Sequence, residues 1–188
     1  MNHLNKHDEV KLSSFMAKIL RHSPQKFGLT LDDYGFCGIP NLTKAIQTQP
    51  RWQQVTEDDI RQIVATSPKQ RYLIKGNQIK ARYGHSVPIL QEPSDRQLPR
   101  FLYHGTHKEA LEAIKGKGIL PMGRQQVHLS ESPSFATLAA KRRKNPLLLK
   151  IDAQSAIEAG VTFHFAGNEV WLSTSLPPSS ITEVIELE

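Results

Sequence analysis

Five short clusters in this chain set arginine, lysine or histidine beside a glycine, a hydroxyl or a tyrosine. They are Leu20-Arg21-His22-Ser23-Pro24, Lys69-Gln70-Arg71-Tyr72, Tyr83-Gly84-His85-Ser86, Tyr103-His104-Gly105-Thr106 and Arg124-Gln125-Gln126-Val127-His128-Leu129-Ser130. Guanidinium is permanently charged, and its planar fork donates paired hydrogen bonds to phosphate oxygens. Imidazole exchanges a proton or accepts a hydrogen bond near neutral pH. Chemistry on a phosphorylated substrate is therefore within reach of these residues. Each cluster also has a purely structural reading. Arg21-His22 complements a helix C-terminus, Lys69 and Arg71 form a solvated strand edge, and His104 or His128 is a satisfied core histidine.

Other chemistries lack their signatures. There is no Gly-x-Gly-x-x-Gly after a strand, no phosphate loop ending in Lys-Ser/Thr and no His-Glu-x-x-His. His3/His7 and His104/His107 have helical spacing, but the first pair lies in an N-terminal tail. The second straddles an expected Gly-Thr turn with no carboxylate or thiol companion, so no metal is expected. The single cysteine, Cys37, excludes an internal disulfide and any multi-cysteine metal site.

The elements that must position these residues fall into two groups. Leu12, Phe15, Met16, Ile19 and Leu20 recur at helical spacing and predict a helix from Lys11 to about Arg21, stopped by Pro24. Leu42 to Ile46 suggests a short second helix. A third starts at Thr56, a hydroxyl N-cap followed by Glu57, Asp58 and Asp59, acids that suit the positive end of the helix dipole. Arg71–Ile74, a turn over Lys75-Gly76-Asn77-Gln78 and Ile79–Arg82 read as a hairpin. Three helices and a hairpin describe a winged-helix lobe. Farther on, short strands are expected at Phe101–Tyr103 and Val127–Leu129, with a helical stretch from His107 to Lys115 between them. A helix from Phe135 to Arg143, a strand from Leu147 to Ile151 and a helical turn at Ile157 follow. Strands at Val161–Phe165, Glu169–Leu172 and Ile181–Ile185 complete a small α+β lobe with a mixed sheet. The proline-flanked polar stretch 93–99 reads as a linker between lobes 1–92 and 100–188.

Charge follows the same division. Net charge is +6, and residues 1–92 carry 13 Lys and Arg against 8 Asp and Glu, whereas residues 93–188 carry 11 against 10. The surplus points to an anionic partner for the first lobe. No apolar run approaches the ~18 residues that span a bilayer, and the first ten residues contain no apolar signal core. A cytoplasmic protein with no membrane association is expected.

In this order and spacing the clusters resemble the NAD-dependent RNA 2′-phosphotransferases, the tRNA 2′-phosphotransferase family. The resemblance runs from Leu20-Arg21-His22 through Gly84-His85-Ser86, His104-Gly105-Thr106 and Arg124 with Val127-His128-Leu129-Ser130 to Asn168-Glu169-Val170-Trp171-Leu172. It implies an α+β protein, a winged-helix RNA lobe followed by an ADP-ribosyltransferase-like NAD lobe. It implies a catalytic group of Arg21, His22, Arg71 and Arg124. His104, Gly105, Thr106, His128 and Ser130 then belong to the NAD site, and Lys69, His85 and Ser86 to the RNA or phosphate site. Two positions depart from the family pattern: Pro68 stands where an acidic residue often precedes the Lys-x-Arg, and Glu169 stands where glycine is usual.

The implied reaction removes an internal 2′-phosphate from RNA, tRNA-like in form, with NAD as co-substrate and no metal. The 2′-phosphate attacks the ribose carbon that bears nicotinamide, giving an ADP-ribosylated RNA phosphate. The neighbouring ribose hydroxyl then displaces the RNA 2′-oxygen, leaving RNA 2′-OH and ADP-ribose 1″,2″-cyclic phosphate. A monomer is expected. Two other readings stand beside this one. An ADP-ribosyltransferase with a protein or a nucleic-acid terminal phosphate as acceptor would use Glu169, and a winged-helix binding protein with a ligand-sensing domain would not catalyse at all.

Overall fold

The computed structural model describes residues 4–187, so His3 lies outside the described residues. The chain divides into two compact units, Met1–Glu92 and Pro93–Glu188.

In the first unit, helix α1 (Lys6–His22) begins five residues ahead of the apolar pattern. Its start is set by polar residues instead. The Asn5 side chain accepts the Asp8 N–H at 2.9 Å, and Asp8 and Glu9 occupy the first turn. After β1 (Cys37–Gly38) come α2 (Ile39–Gln47) and α3 (Glu57–Thr66). Thr56 caps α3 as its sequence indicates. Its hydroxyl accepts the Asp59 N–H at 3.2 Å and the Asp59 carboxylate takes the Thr56 N–H at 2.9 Å, a reciprocal capping box. Strands β2 (Tyr72–Lys75) and β3 (Gln78–Ala81) pair around a two-residue turn in which Gly76 has φ +58°. The turn is tighter than the four residues expected, because Lys75 and Gln78 pair across it. The antiparallel sheet has the order β1-β3-β2. Leu12, Met16 and Ile19 of α1 pack with Leu42, Ile46, Ile60 and Ile79 in its core. Tyr72 ties hairpin to helix: its buried phenol donates to the Ser13 carbonyl.

In the second unit, β4 (Phe101–His107), α4 (Leu111–Lys117), β5 (Val127–Ser130), α5 (Pro133–Ala140), β6 (Pro146–Asp152), α6 (Ala153–Glu158), β7 (Phe163–Gly167), β8 (Val170–Ser173) and β9 (Ile181–Glu186) follow in order. Six strands form one sheet in the order β7-β8-β5-β4-β6-β9. Every neighbouring pair is antiparallel, which corrects the expected mixed sheet. A parallel neighbour needs a crossover that returns along the whole strand. The seven residues of α4 rise about 10 Å, whereas the seven of β4 extend about 24 Å, so β5 starts near the far end and runs back.

Two local departures bear on the site. The His-Gly-Thr segment expected as a turn is strand, with β4 paired to β6 from Phe101↔Asp152 to His107↔Pro146. Gly105 is there for space, because an added Cβ would lie 2.6 Å from the Ala136 carbonyl oxygen and 3.0 Å from the Ala140 nitrogen of α5. Glu169, expected at the head of a strand, sits in the turn between β7 and β8. Asn168 and Glu169 have φ +47° and +62° between the paired residues Gly167 and Val170, the two positive values of a type I′ turn.

The stretch 93–99 belongs to the second unit, where the Arg96 guanidinium grips Glu131 at 3.2 and 2.7 Å and lies 5.5 Å from the Phe165 ring centroid. Glu131 also accepts the buried Trp171 indole N–H at 3.0 Å. Arg96 above all, with Trp171, holds the Glu131 carboxyl below its ordinary value. Among the described residues no helix is long and apolar enough to cross a membrane.

Candidate active site

The first unit carries its cluster at the C-terminal end of α1. Arg21 and His22 are the last residues of that helix, and the Gly84-His85-Ser86 segment closes over them. The Ser86 and Val87 N–H groups donate to the Arg21 carbonyl at 2.9 and 3.3 Å, supplying partners that a helix end lacks. Ser86 Oγ is 2.9 Å from His22 Nδ1, a contact that fixes the imidazole ring. The Arg21 guanidinium lies 5.2 Å from the Tyr83 ring centroid. Gly84, at φ +91°, makes room for it, since an added Cβ would come within 3.3 Å of Cδ, Nε and Cζ of Arg21.

Arg71 and Lys69 lie on the loop from α3 to β2. Gln70 takes φ +38° between them, and the Arg71 carbonyl accepts the Arg82 N–H at 2.8 Å, which anchors the loop to the hairpin. Arg71 directly precedes Tyr72, whose buried phenol donates to the Ser13 carbonyl on the helix that ends in Arg21 and His22. Other cations here have internal partners. Glu92 pairs with Lys75 at 2.6 Å and with the buried Lys80 at 2.7 Å, and Arg51 pairs with Asp8.

His85 and Ser86 differ in kind. Ser86 is exposed, whereas His85 is only 4% exposed and stands behind the surface. Burial first, then the charges of Arg21, Lys80 and His22, push the His85 imidazole down to about 4. It is therefore a neutral group packed beneath the cations, with Gly35 close to its Nε2 face. Cys37 is equally inert, its thiol pushed up to about 12 by burial.

The second unit places its residues on two adjacent strands. His104 on β4 donates from Nδ1 to the His128 carbonyl on β5 at 2.8 Å. Burial, the largest cause, outweighs that bond and holds the His104 pKa below its ordinary value, so the ring is neutral with Nε2 as an acceptor. Arg124, exposed on the loop before β5, donates from Nη1 to His128 Nδ1 at 2.6 Å. Arg124, His128 and His104 thus form one linked series. Thr106 and Ser130 are buried at 5% and 3% exposure. The Ser130 hydroxyl donates to the Ser132 carbonyl at 2.7 Å, so it serves the turn into α5. Gly105 faces α5 with the side where a Cβ would be.

Sequence reasoning passed over Tyr83 and Gly84 as site residues, although the Tyr-Gly pair beside His85 was a visible signal for a ring and a gap. It also passed over Ser132, whose hydroxyl caps α5 and donates to Glu169 Oε2 at 2.7 Å. That bond holds the one acid that an alternative acceptor chemistry would have used. Among the described residues no group of three or more His, Cys, Asp or Glu side chains is arranged to hold a metal ion.

Residues 7–175 match the family model described as RNA 2′-phosphotransferase, Tpt1 / KptA family. A probable RNA 2′-phosphotransferase of Thermococcus kodakarensis is 40% identical over 94% of this chain and 98% of its own. Proteins of the same description from Pyrococcus furiosus and Acetivibrio thermocellus are 41% and 38% identical, over 94% and 93% of this chain and 96% of each relative.

Proposed function

The chain belongs to the RNA 2′-phosphotransferase family, and from that membership we propose that it removes an internal 2′-phosphate from RNA by passing it to the ADP-ribose part of NAD. The observation that carries the reading is the series Arg124–His128–His104. It links an exposed guanidinium, through His128, to a neutral imidazole whose Nε2 can accept a ribose hydroxyl. A phosphate contact and a nucleoside contact then occur on one face of one unit. The depressed pKa of His104 fits this assignment, because a protonated ring would have no acceptor to offer.

NAD supplies a ribose carbon with a neutral leaving group, nicotinamide, and that leaving group needs no general acid. A phosphate monoester is already anionic near neutral pH, so the residues have no proton to remove from it. Their work is electrostatic. Arg21 and Arg71 hold the 2′-phosphate, and their permanent charge offsets the repulsion between two polyanions. Arg124 is assigned to the phosphate as well, with Lys69 as a supporting cation. In the second step the neighbouring ribose hydroxyl attacks phosphorus as the bond to the RNA 2′-oxygen breaks, and His22 is assigned to return a proton to that oxygen while Ser86 fixes its ring. The order of elements in the first unit supports a winged-helix RNA lobe. The antiparallel sheet that carries His104 and His128 supports an NAD lobe of the ADP-ribosyltransferase kind.

The test is one incubation of 2′-phosphorylated RNA with the protein, with and without NAD. Loss of the phosphate together with NAD-dependent nicotinamide release is expected. Release of inorganic phosphate without NAD would refute the reading.

A further inference from the structure

The first unit has a groove of about 750 Å³ that runs from Lys69 and Arg71, assigned above to the reaction, to residues at the start of α1 that the reaction does not use. It lies between the N-terminal half of α1 and the C-terminal end of α3 with the loop that follows. Its size is within the range of sites that bind small organic groups. Val10, Ile63 and Pro68 give it an apolar wall, and Lys6, Lys69 and Arg71 give it cations. Glu9 is the acid among the described residues that line it, so cations prevail. Val10 is 65% exposed, although it is a branched apolar residue on the solvent side of a helix.

We infer that this groove takes a single-stranded nucleotide of the RNA next to the one that carries the 2′-phosphate, an inference that rests on the function proposed above. The chemistry of the lining fits a nucleotide: a flat apolar base against Val10 and Pro68, and a backbone phosphate against Lys6 and Lys69. The position fits too. Arg71, assigned above to the 2′-phosphate, lines the groove, so a strand whose 2′-phosphate is held there meets the groove next. A groove with an apolar wall and a cationic edge binds single strands through base contact and charge together, with little dependence on base identity.

The experiment compares native protein with Val10→Asp and Lys6→Glu on two RNAs, a minimal 2′-phosphorylated dinucleotide and a longer single strand extended on either side of it. Both substitutions are at exposed positions, and an unchanged melting temperature checks that the fold is kept. Native protein should show a lower KM for the longer strand than for the dinucleotide. Either substitution should erase about tenfold of that preference, read as the ratio of kcat/KM on long and minimal RNA. Equal kcat/KM on both RNAs in native protein, or a preference that survives both substitutions, overturns the inference. Removal of phosphate from the dinucleotide by native protein shows separately that the underlying reading holds.

Discussion

Arg124 and His128 are joined by a 2.6 Å hydrogen bond from Nη1 to Nδ1, and the bond fixes more than their separation. Guanidinium only donates, so Nδ1 of His128 accepts and a neutral ring carries its proton on Nε2. The His128 backbone meanwhile fixes the opposite tautomer on His104, whose Nδ1 donates to it. Both rings thus present Nε2, as a donor on His128 and as an acceptor on His104.

This arrangement predicts that charge alone will not replace Arg124. Arg124→Lys keeps the cation but loses the fork that serves His128 and a phosphate together. Single-turnover phosphate removal should slow by roughly 10²-fold with the melting temperature unchanged, because residue 124 is exposed. Near-native turnover in the lysine variant would remove Arg124 from the reaction.

Gly84→Ala should damage the site more than the fold. The residue has φ +91°, and a methyl group there would lie within 3.3 Å of the Arg21 guanidinium. A strained backbone of this kind costs about 1–3 kcal/mol, and Arg21 must also move off Tyr83. Gly76→Ala is the control, since its φ is also positive but nothing lies within 4 Å of an added Cβ. Both variants should melt earlier, and only Gly84→Ala should lose phosphate removal. Equal activity in the two would mean that the room beside Arg21 has no function.

Stability should fall as the medium becomes mildly acid. His85 sits near 4 in the folded chain against an ordinary 6.5, so the unfolded chain binds its proton more readily. The contribution is complete above pH 6.5 and is lost as pH falls from there towards 4. Between pH 7.5 and 5 it amounts to about 2 kcal/mol, readable by urea unfolding. His104 is shifted in the same direction and adds to the slope. His85→Gln should flatten the dependence above pH 5, where the carboxylates are still ionised. An unchanged slope would place the imidazole in contact with water.

Glu169→Gly tests the alternative acceptor chemistry. Glycine relieves the φ of +62° by about 1 kcal/mol, while the bond to Ser132 is lost, so net stability should change little. Phosphate removal should persist. A collapse of turnover in a folded variant would give the carboxylate a catalytic part.

Much of the first unit was legible because local rules agreed. Thr56 with Asp59 announced α3, and the Gly-Asn pair announced the hairpin. The beginning of α1 was missed because Lys6–Val10 shows no apolar stripe, although Asn5 with Asp8 carried the capping signal. The remaining misreadings have non-local causes. Gly105 looked like a turn residue, but it is needed where α5 crosses β4. Glu169 looked like a strand residue because glutamate is an unusual occupant of a left-handed turn position. The strand order and its direction depend on pairings remote in sequence. Of the candidate site, the burial of His85, Thr106 and Ser130 was not readable, because it depends on what packs over them.

The contacts from Ser86 to Arg21 and His22 span more than sixty residues, and this separation sets the order in which the site can come into being. A ribosome that has released α1, α2 and α3 has made a helix whose charged tip still lacks its fastening. Only when the segment past Ala81 emerges do the Ser86 and Val87 amides arrive to fix that tip. A nascent chain halted just after the hairpin would hold its arginine and histidine loosely. Competence for the substrate is thus deferred until the first unit is almost entirely synthesised.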